Sequence, residues 1–294
     1  MNPSAPLSKK DRREQAREHA RELRELEAKK RQRRRWFVQG GVILGALAIA
    51  TVVLLIVTSL VTPAGPGPRN MASDGILFDS TAGAAMSPVK MDALESSATP
   101  IPTTQSDVGP VSIVVYVDYQ CPFCAQFEEA NGRQIVQWVA AGIATLEMHP
   151  VAVLDQYSLG TRYSSRAANA VACVADREPD EFYLASTALF AAQPEEGTSG
   201  LTNDEIVSIV EGAGVTDPAV AQCIQNESFK AWVSAATERT RSPIPNSDEP
   251  YLDSTPMVLV NGQRYTGAPS DAKAFLTYVG GISDAANLPE TPEG

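Results

Sequence analysis

Between residues 111 and 124 the chain passes without a break from a strand-like run to a pair of closely spaced cysteines. Val111-Ser-Ile-Val-Val-Tyr-Val-Asp118 is β-branched or aromatic at most positions and almost uncharged, which reads as a buried strand. Cys121-Pro122-Phe123-Cys124 comes directly after it. Behind it Phe127, Ala130, Ile135, Trp138 and Val139 recur at roughly helical spacing. The Cys-x-x-Cys is therefore placed at a strand-to-helix junction, with Pro122 in the first turn, where a missing N–H costs nothing. Unpaired backbone N–H groups and the positive end of the helix dipole favour an anion there, so the Cys121 thiolate is expected to be stabilised. Such a thiolate attacks disulfides and also leaves easily. Cys124, one turn further in, is expected to be the more buried sulfur and to resolve a mixed disulfide.

Two other uses of such a pair compete with redox chemistry. Half a zinc site needs a second pair, but the remaining cysteines, Cys173 and Cys223, lie 50 residues apart. A passive structural disulfide in so tight a loop is strained. The run Asp118-Tyr-Gln-Cys-Pro-Phe-Cys-Ala-Gln-Phe-Glu128 resembles the thioredoxin superfamily and, within it, the bacterial DsbA-like thiol-disulfide oxidoreductases.

Charge divides the chain. Residues 1–35 contain 13 Lys or Arg and 6 Asp or Glu; the full totals of 24 and 35 leave 11 and 29 for the rest. An acidic body of this kind argues against nucleic acid as a partner. Arg13, Arg17 and Arg21 beside Glu14, Glu18 and Glu22 form adjacent stripes of a charged helix with almost no apolar face. Residues 36–61 then carry no charge and are long enough to span a bilayer. The flanking Arg31 to Arg35 cluster keeps the N-terminus in the cytoplasm and places the remainder outside. A cleavable signal peptide has a shorter charged and a shorter apolar part, so an uncleaved signal-anchor is expected. Residues 62–74, rich in Pro and Gly, read as a linker, and the folded domain is expected from Gly75 to about residue 282, with a polar, disordered tail over 283–294. Ile76-Leu77-Phe78 could add a strand.

Residues 144–154 read as a second strand and its exit, with His149 as a packing or surface residue. About 160–240 is helical, with expected helices over 162–175, 180–192 and 229–239. Thr202-Asn-Asp-Glu205 is a capping box, and Asp217-Pro218 opens the helix of Cys223. Pro256-Met-Val-Leu-Val260 returns to strand, Asn261-Gly262 signals a two-residue hairpin, and 271–279 closes the domain as a helix stopped by Gly280 and Gly281. The fold class is thus α/β: a thioredoxin-like fold with a helical insertion, preceded by one N-terminal transmembrane helix. An insertion of about 80 residues is what the DsbA-like resemblance implies.

Outside a membrane, paired cysteines oxidise, so Cys173 and Cys223 are expected to form a structural disulfide; a second redox pair exchanging with Cys121–Cys124 is the alternative. Ser254-Thr-Pro256 ahead of Asn261-Gly262 is similar to the family's cis-proline loop, which lies against the Cys-x-x-Cys. The resemblance implies a cis Pro256 and a Thr255 that offers its backbone to a substrate chain as an added strand; an ordinary edge proline is the alternative. It also implies no metal or organic cofactor, exported proteins with cysteine pairs as substrates, and a membrane partner of the DsbB or vitamin K epoxide reductase type for reoxidation. Two positions depart from the pattern. Phe123 stands where strong oxidants often hold His, and Val115 stands where relatives commonly hold a buried acid. Asp118 and Glu128 are the candidates for handling the proton of Cys124. Oxidation of exported thiols is the leading reading. A membrane-anchored reductase, for example in cytochrome c maturation, and a binding module with a structural Cys-x-x-Cys are the rivals.

Overall fold

The computed structural model describes residues 29–30, 65–80, 84–96, 98–104 and 109–282. The expected membrane span over 36–61 and the tail over 283–294 lie outside these residues. Among the described residues no helix is long and apolar enough to cross a membrane. The chain divides into two units, Met1–Thr62 and Pro63–Gly294, and the second holds the sheet and both pairs of cysteines.

Six short strands make one mixed sheet: β1 (Ile76–Asp79), β2 (Ser87–Pro88), β3 (Val111–Val117), β4 (Ala144–Pro150), β5 (Met257–Val260) and β6 (Gln263–Arg264), in spatial order β2-β1-β4-β3-β5-β6. β3 and β4 run parallel, with Val115 opposite Met148, and are joined by α1 (Pro122–Ala140). β5 lies antiparallel on the other side of β3, Val115 opposite Val258. The β5–β6 turn is Asn261-Gly262, both residues at positive φ (47° and 77°), the backbone a two-residue hairpin of this kind requires.

Because β3 is central, it is buried on both faces, which is why its sequence is a continuous apolar run rather than an alternation. Ile113, Val115 and Val117 join the main core with Phe127, Ile135 and Trp138 of α1. Val114 and Tyr116 turn to the other face, against Val151, Ile244, Met257 and Leu259. The closing helix seats Phe275 edge-on to Phe127, ring centroids 5.2 Å apart. Its buried residues are Phe275 and Val279, while Ile282 packs partly against the same core, so the helix runs on through Gly280 and Gly281 instead of ending there.

Five helices lie between β4 and the return to the sheet: α2 (Tyr163–Arg177), α3 (Phe182–Ala191), α4 (Asn203–Gly212), α5 (Pro218–Gln225) and α6 (Lys230–Arg239), with the closing helix as α7 (Ala272–Ile282). α2 is buried on almost every side, and its alanines let its neighbours approach closely. The Thr202–Glu205 capping box is formed in both directions, and Asp217 accepts from the Ala219 N–H at 2.8 Å. Cys173 on α2 is bonded to Cys223 on α5, Cα to Cα 5.9 Å.

The start of the folded unit differs from the sequence expectation. Residues 67–74, read as linker, pack onto the domain: Met71 and Ala72 are buried, Asn70 donates to the Ala175 carbonyl at 2.7 Å, and Asp74 receives two 2.6 Å bonds from Arg239. Two apolar side chains among polar residues give no periodicity to read, so only the bonds of Asn70 to α2 and Asp74 to α6 reveal the packing.

The Cys173–Cys223 bond closes a 50-residue loop, which removes about 4 kcal/mol of chain entropy from the unfolded state. The double variant Cys173→Ala/Cys223→Ala is expected to lose about that much in denaturant unfolding while keeping its thiol chemistry. A loss of dithiol turnover with an unchanged midpoint would instead make this pair redox-active.

Candidate active site

Cys121 stands at the strand-to-helix junction as the N-cap of α1, with extended backbone, and Pro122 occupies the first turn. The Cys121 carbonyl accepts from the Cys124 and Ala125 N–H groups at 3.0 and 3.3 Å, starting the helical ladder. Both cysteines are free thiols and both residues are buried, at 4% and 1% exposure, so Cys121 is less open than a freely exposed nucleophile. Phe123 is 57% exposed and forms the outward part of the motif.

The second half of the site comes from 134 residues further along. The Thr255–Pro256 bond is cis, and the Cys121 thiol donates to the Thr255 carbonyl at 3.1 Å. Hydrogen bonding from Cys124 lowers the Cys121 pKa to about 6; the Thr255 side chain and the Cys124 and Phe123 N–H groups add to this, against the opposing effect of burial. Cys124 moves the other way, well up, because it is desolvated and is the donor to Cys121. One sulfur is therefore a nucleophile near neutral pH and the other holds its proton.

Asp118 lies at the end of β3 with no exposed surface. Its carboxylate accepts from the Gln120 and Leu154 N–H groups, each at 2.9 Å. Burial nevertheless pushes its pKa up to about 7, with Ser164 and those two N–H groups opposing and the charge of Cys121 adding to the rise. Asp118 is thus a buried carboxyl that titrates near neutrality and whose charge acts on both cysteines. Val115, at the position where relatives hold an acid, is ordinary core. Glu128 is placed differently: Tyr183 and Thr187 of α3 donate to it at 2.6 and 3.0 Å, and burial raises its pKa. It is committed to the α1–α3 contact rather than to the sulfurs. His149 stacks on Tyr116 at 4.4 Å and meets Glu147 at 3.2 Å within the sheet, as a packing residue.

Gln193, just past α3, carries no sequence signal yet touches the site. Its amide donates to the Tyr119 and Cys121 carbonyls at 2.9 and 3.0 Å. Tyr119 is itself held by the insertion, stacking on Phe190 at 4.7 Å and sharing a 2.8 Å hydrogen bond with Ser186. The helical insertion is thus the back wall of the Cys-x-x-Cys turn.

A thioredoxin family model matches residues 106–279, which contain every residue of this site. The chain belongs to the thioredoxin family. Among solved structures it is similar to the reduced disulfide bond oxidoreductase DsbG of Mycobacterium tuberculosis, at 28% identity and a TM-score of 0.51, covering 61% of this chain and 80% of that one. MdbA, a thiol-disulfide oxidoreductase of Corynebacterium diphtheriae, has a TM-score of 0.53 at 16% identity, over 76% and 95% of the two chains. The MdbA likeness shows the fold, and the DsbG likeness supports an oxidoreductase. A curated relative, the serine/threonine-protein kinase PknE of M. tuberculosis, is 30% identical over 125 residues; the match spans 41% of this chain and 22% of the kinase.

Both titrations are measurable. Alkylation of the reduced protein should track one ionisation with a midpoint near pH 6, and Cys124→Ala, by removing the donor, should move that midpoint up. An unmoved midpoint would give the effect to the helix terminus alone. Asp118 has a folded-state pKa above its unfolded value, so the stability tied to it is complete below about pH 4 and is lost as pH rises through about 7. The difference in unfolding free energy between the native chain and Asp118→Asn should therefore shift towards the variant across that window. A difference independent of pH would show that Asp118 is ionised throughout.

Proposed function

We propose that this protein is a membrane-anchored, extracytoplasmic thiol-disulfide oxidoreductase that oxidises cysteine pairs in exported proteins. The observation that carries the reading is the unequal pair of thiols at a helix start: the Cys121 pKa is lowered to about 6, first by the hydrogen bond from Cys124, while Cys124 is pushed well up and holds its proton. Stabilising the thiolate stabilises the reduced form, which makes the disulfide a stronger oxidant.

In the oxidised enzyme a substrate thiolate attacks the Cys121 sulfur. The Cys121–Cys124 bond breaks and a mixed disulfide forms, with Cys124 leaving as thiolate. Asp118 is assigned the return of a proton to it, since a carboxyl with a pKa near 7 exchanges protons at working pH. A second substrate thiolate then attacks the substrate sulfur of the mixed disulfide. The substrate leaves oxidised, Cys121 leaves as thiolate, and two electrons have passed to the enzyme. Thr255 holds the substrate backbone beside Cys121 during both steps. Reoxidation falls to a quinone-linked membrane partner of the DsbB or vitamin K epoxide reductase type, and the charge-free stretch over 36–61 would keep the domain within its reach.

The reduction potential of the Cys121–Cys124 couple, equilibrated against glutathione, tests the direction. A value between about −120 and −180 mV is expected, the range of DsbA and protein disulfide isomerase; about −270 mV, as in thioredoxin, would reverse the assignment to a reductase. In Cys124→Ala the Cys121 thiolate should attack a disulfide-bonded peptide, expel one peptide sulfur as thiolate and accumulate the mixed disulfide, seen as a covalent adduct by mass spectrometry. Absence of the adduct would leave a binding module.

A further inference from the structure

We propose that Arg264 is a positioning residue for thiol exchange, acting by clamping the loop that presents Thr255 to Cys121 and to the substrate chain; the role rests on the protein being a thiol-disulfide oxidoreductase. The loop ahead of β5 has no regular secondary structure over residues 245–256, yet Thr255 must keep its carbonyl 3.1 Å from the Cys121 sulfur. The Arg264 guanidinium supplies the restraint. One nitrogen donates to Asp253 at 2.6 Å and to the Ser254 hydroxyl at 2.9 Å; the other donates to Asp253 at 3.1 Å and to Glu249 at 3.0 Å. Asp253 and Ser254 are the two residues immediately before Thr255, so the clamp closes directly on the functional segment.

The other end of the clamp is fixed to regular structure. Arg264 lies on β6 in register with Leu259 of β5, and its backbone carbonyl accepts from the Tyr278 hydroxyl of α7 at 2.8 Å. Sheet, closing helix and Thr255 loop are thus tied through one side chain. The guanidinium is only 22% exposed, as is Glu249 at 23%, so these bonds are less screened than those of a surface pair. The pairing leaves its mark on both groups: the hydrogen bonds to Arg264 hold the Asp253 carboxyl below its usual range, and Asp253 raises the Arg264 pKa further. A planar fork is needed to meet both Asp253 oxygens while reaching Ser254 and Glu249, and an ammonium group does not supply that geometry. Arg264 makes its bonds to the loop and not to the sulfurs, so it reaches the site only through where Thr255 sits.

The experiment compares two reductants of the oxidised full chain. One is a peptide with two cysteines, which needs the Thr255 backbone edge. The other is dithiothreitol, which has no peptide backbone to pair with it. For Arg264→Gln the KM for the peptide is expected to rise at least fivefold, with the dithiothreitol rate within twofold of native. Arg264→Lys should recover little of that loss. Asp253→Asn, on the 47%-exposed side of the pair, opens the same clamp from the loop and is expected to raise the peptide KM in the same way if the arginine variants fold poorly. An unchanged peptide KM in all variants, or a parallel fall in both rates, would overturn the proposal. If the native chain oxidises neither reductant, the oxidoreductase reading itself fails and the clamp has no reaction to serve.

Discussion

The site depends on the contact between the Cys121 sulfur and Thr255, because neither side of it can be supplied locally. A helix N-terminus alone stabilises a thiolate modestly, and its effect fades within a turn. Here the Cys124 thiol and the Thr255 side chain, from a segment 134 residues away, also lower the Cys121 pKa. That segment arrives because β5 pairs with β3 in a fixed register, Met257 opposite Tyr116, which brings the start of β5 to the end of β3 where the cysteines begin. Asn261 pins that register at the hairpin, its N–H donating to the Ser112 carbonyl and its side-chain oxygen accepting from the Ser112 N–H, each at 2.8 Å.

The helical insertion contributes to the same end from behind. Gln193, Ser186 and Phe190 hold Tyr119, two residues before Cys121, and Glu128 joins α1 to α3 through two hydroxyl groups. Asp118 satisfies its oxygens with N–H groups from Gln120 and Leu154, so its cost of burial is reduced without being removed. A carboxyl left in that balance titrates near neutrality, which suits proton transfer to a neighbouring sulfur better than a solvated carboxylate does.

The parts of this protein legible in sequence are those written at short range. The apolar run of β3, Pro122 behind an N-cap cysteine, the Thr202–Glu205 box and the Asn261-Gly262 turn each arise from residues within a few positions of one another. The parts that were not legible depend on partners far away in the chain. Met71 and Ala72 look like linker until the folded domain buries them, and α7 runs past its two glycines because Val279 and Ile282 have a core to meet. Nothing near Gln193 or Arg264 in the sequence marks them, since each acts on a segment at least ten residues distant.

By itself the sequence determined that two cysteines open a helix behind a buried strand, that a helical block separates this strand from the one after Pro256, and that the chemistry is that of thiols. Local backbone propensity and side-chain periodicity are enough for that. Only the tertiary structure decided how far the Cys121 thiol is activated, which of Asp118 and Glu128 acts electrostatically on the sulfurs, and which side chains keep the Thr255 loop in place. A pKa and a hydrogen-bond distance depend on desolvation and on groups brought together through the sheet, and no window of sequence contains them.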